Sequence, residues 1–280
     1  MNDLNKIDFA VVFTVMNANP NGDPLNGNRP RINYDGRGEV SDVCLKRKIR
    51  NRWMNLGLSV FVQSDDLKTD DAKSLRERAE EVLPLAKKST DEFVAVACGK
   101  WIDVRAFGQL FALKASKEKE SGVSVGIRGP VSLHPAFSLS PISISSVQIT
   151  KSVNTETGEK KGSDTMGMKH RVDCGTYVFF GSVNPQLSKR TGFTTKDSES
   201  LKEALKTLFD NDSSSSRPEG SMDIKRLYWW THDRPNGQYS SGRVHGSLKI
   251  VPRNENACRF EDYDIQVDKL EGLKLEVYEN

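Results

Sequence analysis

The chain has 280 residues, of which 36% are hydrophobic and 28% charged, and its formal net charge is only +3. This length fits one elaborated domain or two small ones, and the apolar content is lean for a chain of this size. The charge does not by itself indicate a nucleic-acid-binding protein, and no run approaches the roughly 18 apolar residues of a membrane span.

The N-terminal part predicts a strand and then a long loop. Residues 7–15 are β-branched and aromatic with almost continuous apolar character, which is typical of a central strand buried on both faces. Residues 17–38 are rich in Asn, Gly, Asp and Pro, a composition that favours turns. Loops of this length are often functional, and a tolerated insertion is the alternative.

The next predicted element is a helix over 42–55, which begins after the N-cap residue Ser41. Five basic residues fall within seven positions of this helix. Lys46, Arg47 and Arg50 lie opposite its apolar stripe and form a cationic face directly after the Asn-rich loop. Such a face either binds phosphates or is a solvated surface, and the sequence leaves both open.

The middle of the chain predicts shorter elements. A charged helix over 70–88 is interpreted as a peripheral insertion, and a short helix over 103–113 should point Leu110 inward. Two bent strands are expected within 127–149, where Gly and Pro interrupt β-type sequence. A projecting β-hairpin is predicted over 151–169, because a polar segment with a turn lies between strand-like runs, although a disordered loop is the alternative.

The C-terminal part predicts a strand over 171–183 and a helix over 194–209 that begins with a capping box. A Ser-rich loop, a core strand over 224–231 and shorter strands over 243–251 and 273–278 follow. The order strand, helix, two strands, helix, strand is that of a split β-α-β, or ferredoxin-like, sheet with large insertions. The predicted fold class is therefore α+β.

The residues that carry chemistry give little indication of an enzyme or a cofactor. The chain has no H-E-x-x-H, G-x-S-x-G or G-x-x-x-x-G-K-[ST] motif, and its four histidines lie far apart. Asp23, Asp35 and Asp42 cluster in sequence and could bind a metal, but turn and helix-cap roles explain them adequately. We therefore expect no catalytic residue, no metal and no cofactor.

The cysteines form no C-x-x-C pair, which argues against a disulfide framework and against a zinc site. They are scattered, at Cys44, Cys98, Cys174 and Cys258. A reducing cytoplasm is the simplest location for such a chain.

Several segments resemble a known family. Asn-Pro-Asn-Gly-Asp-Pro at 19–24, followed by Ser-Asp-Val-Cys-Leu-Lys-Arg-Lys-Ile-Arg-Asn at 41–51, is similar to the N-terminal signature of the backbone subunit of type I-C CRISPR surveillance complexes (Cascade). Later family blocks occur in the family's order, at 103–108, 127–130, 166–170 and 191–193. The resemblance covers nearly the whole chain and is weakest over 57–100, which is shorter than usual in the family.

The resemblance implies a single elaborated domain over 1–280 with a modified ferredoxin-like, or RNA-recognition-motif, palm. It divides the chain into a palm over about 1–56, 101–146 and 171–280, a finger or web insertion over about 57–100 and a β-hairpin thumb over about 147–170.

The function implied by the resemblance is that of a non-catalytic subunit that coats CRISPR RNA (crRNA) in antiviral defence. Such subunits stack head-to-tail along the guide as a helical oligomer, kink it with their thumbs and support its pairing with a target DNA strand. The implied partners are copies of the chain itself, the guide-end-capping, large and small Cascade subunits, and a recruited nuclease-helicase. The alternative function, drawn from related type III complexes, is a metal-dependent endoribonuclease that acts through the loop aspartates.

Chemistry and resemblance together indicate a set of RNA-binding candidates. Amide side chains of the loop can donate to phosphate or 2′-hydroxyl oxygens, basic side chains can grip phosphates, and an exposed Met can wedge between bases. The alternatives are a salt bridge for the two palm arginines and packing against a neighbouring subunit for the methionines. The candidates are Asn19, Asn21, Asn28, Lys46, Arg47, Arg50, Arg105, Arg128, Met166 or Met168, Lys169, His170 and Arg171, with Lys151, Lys160 and Lys161 further along the thumb.

Overall fold

The computed structural model of the protein describes residues 4–82, 89–113, 123–150 and 166–280. Its strands are β1 Ile7–Ala18, β2 Gly22–Asp23, β3 Arg29–Pro30, β4 Arg37–Val40, β5 Gly108–Leu113, β6 Val123–Arg128, β7 Val131–Leu133, β8 Ala136–Pro141, β9 Ile144–Thr150, β10 Met166–Val183, β11 Met222–Thr231, β12 Leu248–Pro252, β13 Tyr263–Val267 and β14 Lys274–Glu279. Its helices are α1 Asp42–Asn55, α2 Leu75–Glu80, α3 Thr90–Lys100, α4 Ile102–Phe107, α5 Pro185–Thr191, α6 Thr195–Lys206 and α7 Ser241–His245.

The fold is built on a large antiparallel sheet with the strand order β14-β11-β1-β10-β8-β4, and β7 and β9 pair with other parts of the long strand β10. This mixed architecture of a large sheet and packed helices confirms the predicted α+β class. None of the helices in the described ranges is both long enough and apolar enough to cross a membrane.

Strand β1 lies at the centre of the sheet and is buried on both faces, as its continuous apolar sequence predicted. Phe9 and Phe13 point into the main core with apolar residues of α1 and α6, whereas Ala10 and Val12 belong to a second core on the opposite face. Because side chains alternate along a strand, a strand covered on both faces must be apolar at nearly every position. That opposite face is covered by α7 and the β12–β13 ribbon.

A separate hydrophobic cluster joins α2, α3, α4 and the β5–β6 ribbon around Phe61, Trp101 and Phe111. The carboxylate of Asp103, which is buried, accepts hydrogen bonds from the backbone amides of Phe61 and Val62 at 2.7 and 3.1 Å. This carboxylate therefore fixes the start of the segment after α1 against α4.

Several predicted elements are confirmed and three are corrected. Helix α1 has the predicted bounds, and α6 begins with the predicted capping box of Thr194 and Asp197. The predicted helix over 103–113 is wrong in its second half: α4 ends at Phe107, and β5 begins at Gly108, where an added Cβ would lie 2.2 Å from the carbonyl oxygen of Ile127. Leu110 is accordingly exposed on the ribbon rather than inward.

The second correction concerns 243–251, where the strand starts only at β12, because Ser240 caps the short helix α7 first. The third concerns 127–149, which contains β7, β8 and β9 in addition to the end of β6 rather than two bent strands. Of the helix predicted over 70–88, α2 is the part that is helical among the described residues, and 83–88 lie outside them.

The cysteine expectation is wrong for one pair, because Cys174 and Cys258 form a disulfide with Cα atoms 5.7 Å apart. The bridge joins β10 to the loop before β13 across 84 positions of sequence. Spacing in the sequence gave no sign of it, since the two residues become neighbours only when the β12–β13 ribbon packs on the sheet. Cys44 and Cys98 are free thiols.

Candidate nucleic-acid interface

Three segments that are distant in sequence meet at one groove of about 220 Å³, which we call the guide groove. Its walls are the Asn-rich loop, the far end of the described β9–β10 ribbon and the Ser-rich loop. The lining residues are Asn19, Gly27, Asn28, Ile149, Met168, Lys169, His170, Ser215 and Ser216. The structure thus brings five of the predicted residues, Asn19, Asn28, Met168, Lys169 and His170, to one place, and none of the described residues that line the groove is acidic.

The Asn-rich loop is held in shape by its own amides. The side-chain amide of Asn19 donates to the carbonyl oxygen of Asn28 at 2.7 Å, and its backbone amide donates to Ser216 in the Ser-rich loop at 2.9 Å. Asn28 has a positive φ of 60°, and its side chain occupies the space that a Cβ on Gly22 would fill. The exposed side chain of Asn28 remains available to a ligand, whereas the amide nitrogen of Asn19 is engaged within the protein.

Asn21 has a structural role in this arrangement. Its Oδ1 accepts hydrogen bonds from both the backbone amide and the hydroxyl of Ser41, at 3.0 and 2.9 Å. The Ser41 hydroxyl in turn caps α1 by accepting from the amide of Cys44. Asn21 therefore joins the loop to the start of the basic helix and does not line the groove.

The basic face of α1 contacts other parts of the protein. Lys46 pairs with Asp42 at 2.9 Å, and Arg47 donates to the carbonyl oxygen of Val62 at 2.7 Å. Burial lowers the pKa of Arg47, which is consistent with a guanidinium packed against the segment that follows α1. Neither Lys46 nor Arg47 lines the guide groove.

Arg50 pairs with the carboxylate of Asp103, the group that holds the segment after α1 against α4. Its Nε lies 2.9 Å from Asp103 Oδ2, with exposed fractions of 13% and 1% for the two side chains, and its guanidinium lies over the ring of Phe107 at 5.2 Å. A planar guanidinium suits this combination of ion pair and ring contact. Arg50 is therefore a link between α1 and α4 in this structure.

Lys48, another member of the basic run of α1, forms an ion pair that joins α1 to the Ser-rich loop. Its buried ammonium pairs with Asp212, which also pairs with Arg217 at 3.4 Å. Burial lowers the pKa of Lys48, and the charge of Asp212 opposes that shift. This pair anchors the Ser-rich loop to α1, so the basic helix acts on the guide groove by holding one of its walls.

Arg105 and Arg128 have different surroundings. Arg105 forms a two-pronged ion pair with Asp197, at 3.1 and 2.7 Å, and also donates to the carbonyl oxygen of Cys98. This is the salt bridge that the sequence offered as the alternative for Arg105. Arg128 is exposed at the end of β6, and its side chain makes no hydrogen bond or ion pair with any residue that the structure describes.

The β9–β10 ribbon carries the remaining candidates. Met166 and Met168 are exposed by 58% and 55%, and Lys169 is exposed with no ion-pair partner in the described ranges. His170 Nδ1 lies 2.8 Å from the hydroxyl of Ser146 on the facing strand, and Arg171 is 3.7 Å from Asp173. The rest of the hairpin predicted from the sequence, 151–165, with Lys151, Lys160 and Lys161, lies outside the described residues.

Four residues that line the groove were not among the candidates predicted from the sequence: Gly27, Ile149, Ser215 and Ser216. Four consecutive serines at 213–216 were a usable signal, because small hydroxyl side chains let a loop come close to a polar ligand. What no pattern indicated is that this loop lies beside the Asn-rich loop, since about 200 residues separate the two in sequence.

Comparisons of the sequence with known proteins find matches over nearly the whole chain. A family model described as CRISPR-associated protein Cas7 matches residues 5–268. A protein of Haloferax volcanii named CRISPR-associated protein Cas7 is 25% identical over 300 residues, which covers 97% of this chain and 82% of that protein.

Two solved structures match this chain over most of its length. A chain of a CRISPR RNA-guided surveillance complex in a pre-nicking state superposes with a TM-score of 0.51 at 15% identity, covering 82% of this chain and 79% of that chain. A chain of another CRISPR RNA-guided surveillance complex gives 0.43 at 17% identity, with coverage of 82% and 71%.

Proposed function

We propose that this chain, which belongs to the CRISPR-associated Cas7 family, is a non-catalytic backbone subunit that binds the guide RNA of a surveillance complex. The observation that carries the proposal is the guide groove, where three sequence-distant polar segments converge beside the exposed cation Lys169, which pairs with no acidic group of the described residues. Polar side chains, backbone amides and an isolated cation bind the sugar-phosphate backbone without reading bases. A subunit that coats a guide of any sequence needs that kind of contact.

The palm and thumb of a type I-C subunit are the structural part of this proposal. The order β11-β1-β10-β8, with α1 and α6 packed into the core on one face, supports a ferredoxin-like palm. The β9–β10 ribbon supports a thumb that kinks the guide, because Met166 and Met168 are exposed near the end of its described part. An apolar wedge of this kind unstacks a base step at a cost of about a few kcal/mol.

The partners follow from the same proposal. Copies of the chain would stack head-to-tail on the guide through a heterologous surface, which does not close into a ring. Target DNA would pair with the bound guide, and the complex would include the end-capping, large and small subunits and recruit a nuclease-helicase in the cytoplasm.

The proposed absence of catalysis is tested by incubating labelled RNA with the protein and magnesium. Two of the loop aspartates already have partners: Asp23 accepts from the backbone amide of Leu25 and pairs with Arg31, and Asp42 pairs with Lys46. These partners support the scaffold proposal. Time-dependent cleavage that an Asp35→Ala change abolishes would instead establish the endoribonuclease alternative.

The binding proposal is tested with single-stranded RNAs of unrelated sequence across a salt series. The variant Lys169→Ala removes the groove's free ammonium, and Lys249→Ala is the matched control, since Lys249 is an exposed lysine on β12. We expect Lys169→Ala to lower affinity equally for all sequences and to reduce the salt slope by about 0.7, the value for one phosphate contact to a single strand. Equal affinity and slope in the two variants would contradict the groove assignment.

A further inference from the structure

A second cleft of about 480 Å³ lies beyond the far end of β10, where α5 follows the strand. Its walls come from the C-terminal half of α3, the end of α5 and the turn into α6. We propose that this cleft, which we call the α5 cleft, binds a phosphodiester of a single nucleic-acid strand other than the one in the guide groove.

The α5 cleft carries free positive charge. Lys189 and Arg190 both line it, both are exposed, and neither side chain forms a hydrogen bond or an ion pair with the described part of the chain. Burial raises the pKa of the Cys98 thiol to about 11, while the charges of Arg105 and Arg190 oppose that shift. Arg105 is neutralised by Asp197, so the two α5 cations set the charge.

An unpaired hydroxyl lies among these charges. Thr191 is only 3% exposed, and its Oγ1 is buried without a hydrogen-bond partner among the described residues. A buried polar group without a partner is unfavourable by about 1–3 kcal/mol unless a ligand supplies one. A phosphate oxygen accepts from a hydroxyl, a guanidinium and an ammonium alike, so it satisfies all three groups.

The shape of the α5 cleft admits a nucleic-acid backbone. An added Cβ on either Gly99 or Gly192 would meet no atom within 4 Å, so both walls are open. None of the large exposed apolar side chains of the described residues lines the cleft, which leaves no anchor of the kind that holds a peptide or protein. Extended backbone phosphates need charge and open walls rather than an apolar pocket.

The α5 cleft is separate from the guide groove. Val183, at the end of β10 that leads into α5, lies thirteen residues beyond His170, and a strand rises about 3.3 Å per residue, so these two residues are roughly 40 Å apart along the strand. The two sites share no lining residue. A single short oligonucleotide therefore occupies one of them at a time, and the inference rests on the proposed function for the strand in the guide groove.

The test measures a second strand on the loaded protein. The full chain is first saturated with unlabelled single-stranded RNA, and binding of a short labelled oligothymidylate is then followed by fluorescence anisotropy across a salt series. For Lys189→Ala/Arg190→Ala we expect the affinity for the second strand to fall roughly tenfold or more, because two charge-assisted contacts are lost. The salt slope should fall by about 1.4, or 0.7 for each phosphate contact.

Two further variants make the result specific. Lys249→Ala/Arg253→Ala removes two exposed cations from the β12 region and should leave the second-strand affinity unchanged. Thr191→Val removes the unpaired hydroxyl without removing a hydrogen bond of the fold, so thermal stability should hold while second-strand affinity falls.

Three outcomes would overturn the proposal: no second-strand binding by the RNA-loaded wild type, equal losses in the two double variants, or an equal loss of affinity for the first RNA strand. The last would mean that the cleft belongs to the guide path. The assignment would also be contradicted if inorganic phosphate at matched ionic strength displaced the labelled strand while Lys189→Ala/Arg190→Ala left the affinity for that strand unchanged. If Lys169→Ala does not affect RNA binding but Lys189→Ala/Arg190→Ala lowers second-strand affinity, the guide-groove assignment fails and this one stands.

Discussion

Replacing Arg50 with Met tests whether the basic helix binds RNA directly or holds the protein together. The sequence placed Arg50 on a phosphate-binding face, whereas in the structure its guanidinium pairs with the buried carboxylate of Asp103 and lies over Phe107. Met keeps much of the contact with the ring and removes only the charge and its hydrogen bonds. The expected consequence is a loss of folding stability.

The size of that loss follows from the surroundings of Asp103. Removing one partner of a buried ion pair is destabilising by about 3–5 kcal/mol, since an uncompensated charge remains. Here the backbone amides of Phe61 and Val62 still donate to the carboxylate, so we expect the lower end, about 3 kcal/mol. Because folded domains are stable by about 5–15 kcal/mol, the variant should remain folded at room temperature.

The assay combines urea unfolding with RNA binding. Arg50→Met and Asp103→Asn should each lower the free energy of unfolding, and the double variant should lose less than the sum, with a coupling energy of about 1–3 kcal/mol. RNA affinity of folded Arg50→Met should stay near the wild-type value. A variant that keeps its free energy of unfolding within about 0.5 kcal/mol yet binds RNA more weakly would refute this reasoning and restore Arg50 as an RNA contact.

Three further predictions concern single features of the fold. Lys48→Met breaks the buried ion pair that anchors the Ser-rich loop and should lower the free energy of unfolding in urea by about 3 kcal/mol, whereas a change below about 0.5 kcal/mol would mean that the pair is solvated. Burial alone would raise the pKa of Asp197, but hydrogen bonds, first among them those from Arg105, outweigh it and hold the pKa below the ordinary 3.8. Stability from a depressed carboxyl pKa is present above the unfolded value and is lost as pH falls through the folded one, so Asp197→Asn should flatten the acid side of the stability curve measured by urea unfolding at successive pH values. Reducing the Cys174–Cys258 disulfide opens a loop of 84 residues and should lower the free energy of unfolding by up to about 4.5 kcal/mol, and equal melting temperatures with and without reductant would contradict this.

Local patterns predicted several elements correctly because the physics that forms them is local. The bounds of α1 follow from the Ser41 cap and its apolar spacing, and the start of α6 follows from a capping box four residues long. Where a local pattern failed, a distant contact decided the outcome. Residues 108–113 have helical spacing, yet Gly108 approaches Ile127 closely enough to start a strand that pairs with β6.

The candidate site shows the same division at a larger scale. The sequence identified Asn28, Lys169 and His170 as candidates from the chemistry of their side chains and from family resemblance, and the structure brings them together in one groove. It could not say that Arg47, Lys48 and Arg50 of α1 have protein partners, because those partners lie between 15 and 164 positions away in the chain. A basic run looks the same in sequence whether its charges face water, a phosphate or a carboxylate.

The sequence by itself determined the α+β class, the central strand, the main helices and the family, since these depend on periodicity, capping and ordered blocks of residues. Only the tertiary structure decided which charged groups remain free: Lys169 in the guide groove and Lys189 and Arg190 in the α5 cleft make no ion pair with described residues, while Arg50 does. The physical reason is that a charge is available to a ligand only when no opposite charge lies within a few ångströms, and such proximity is a property of the packed chain.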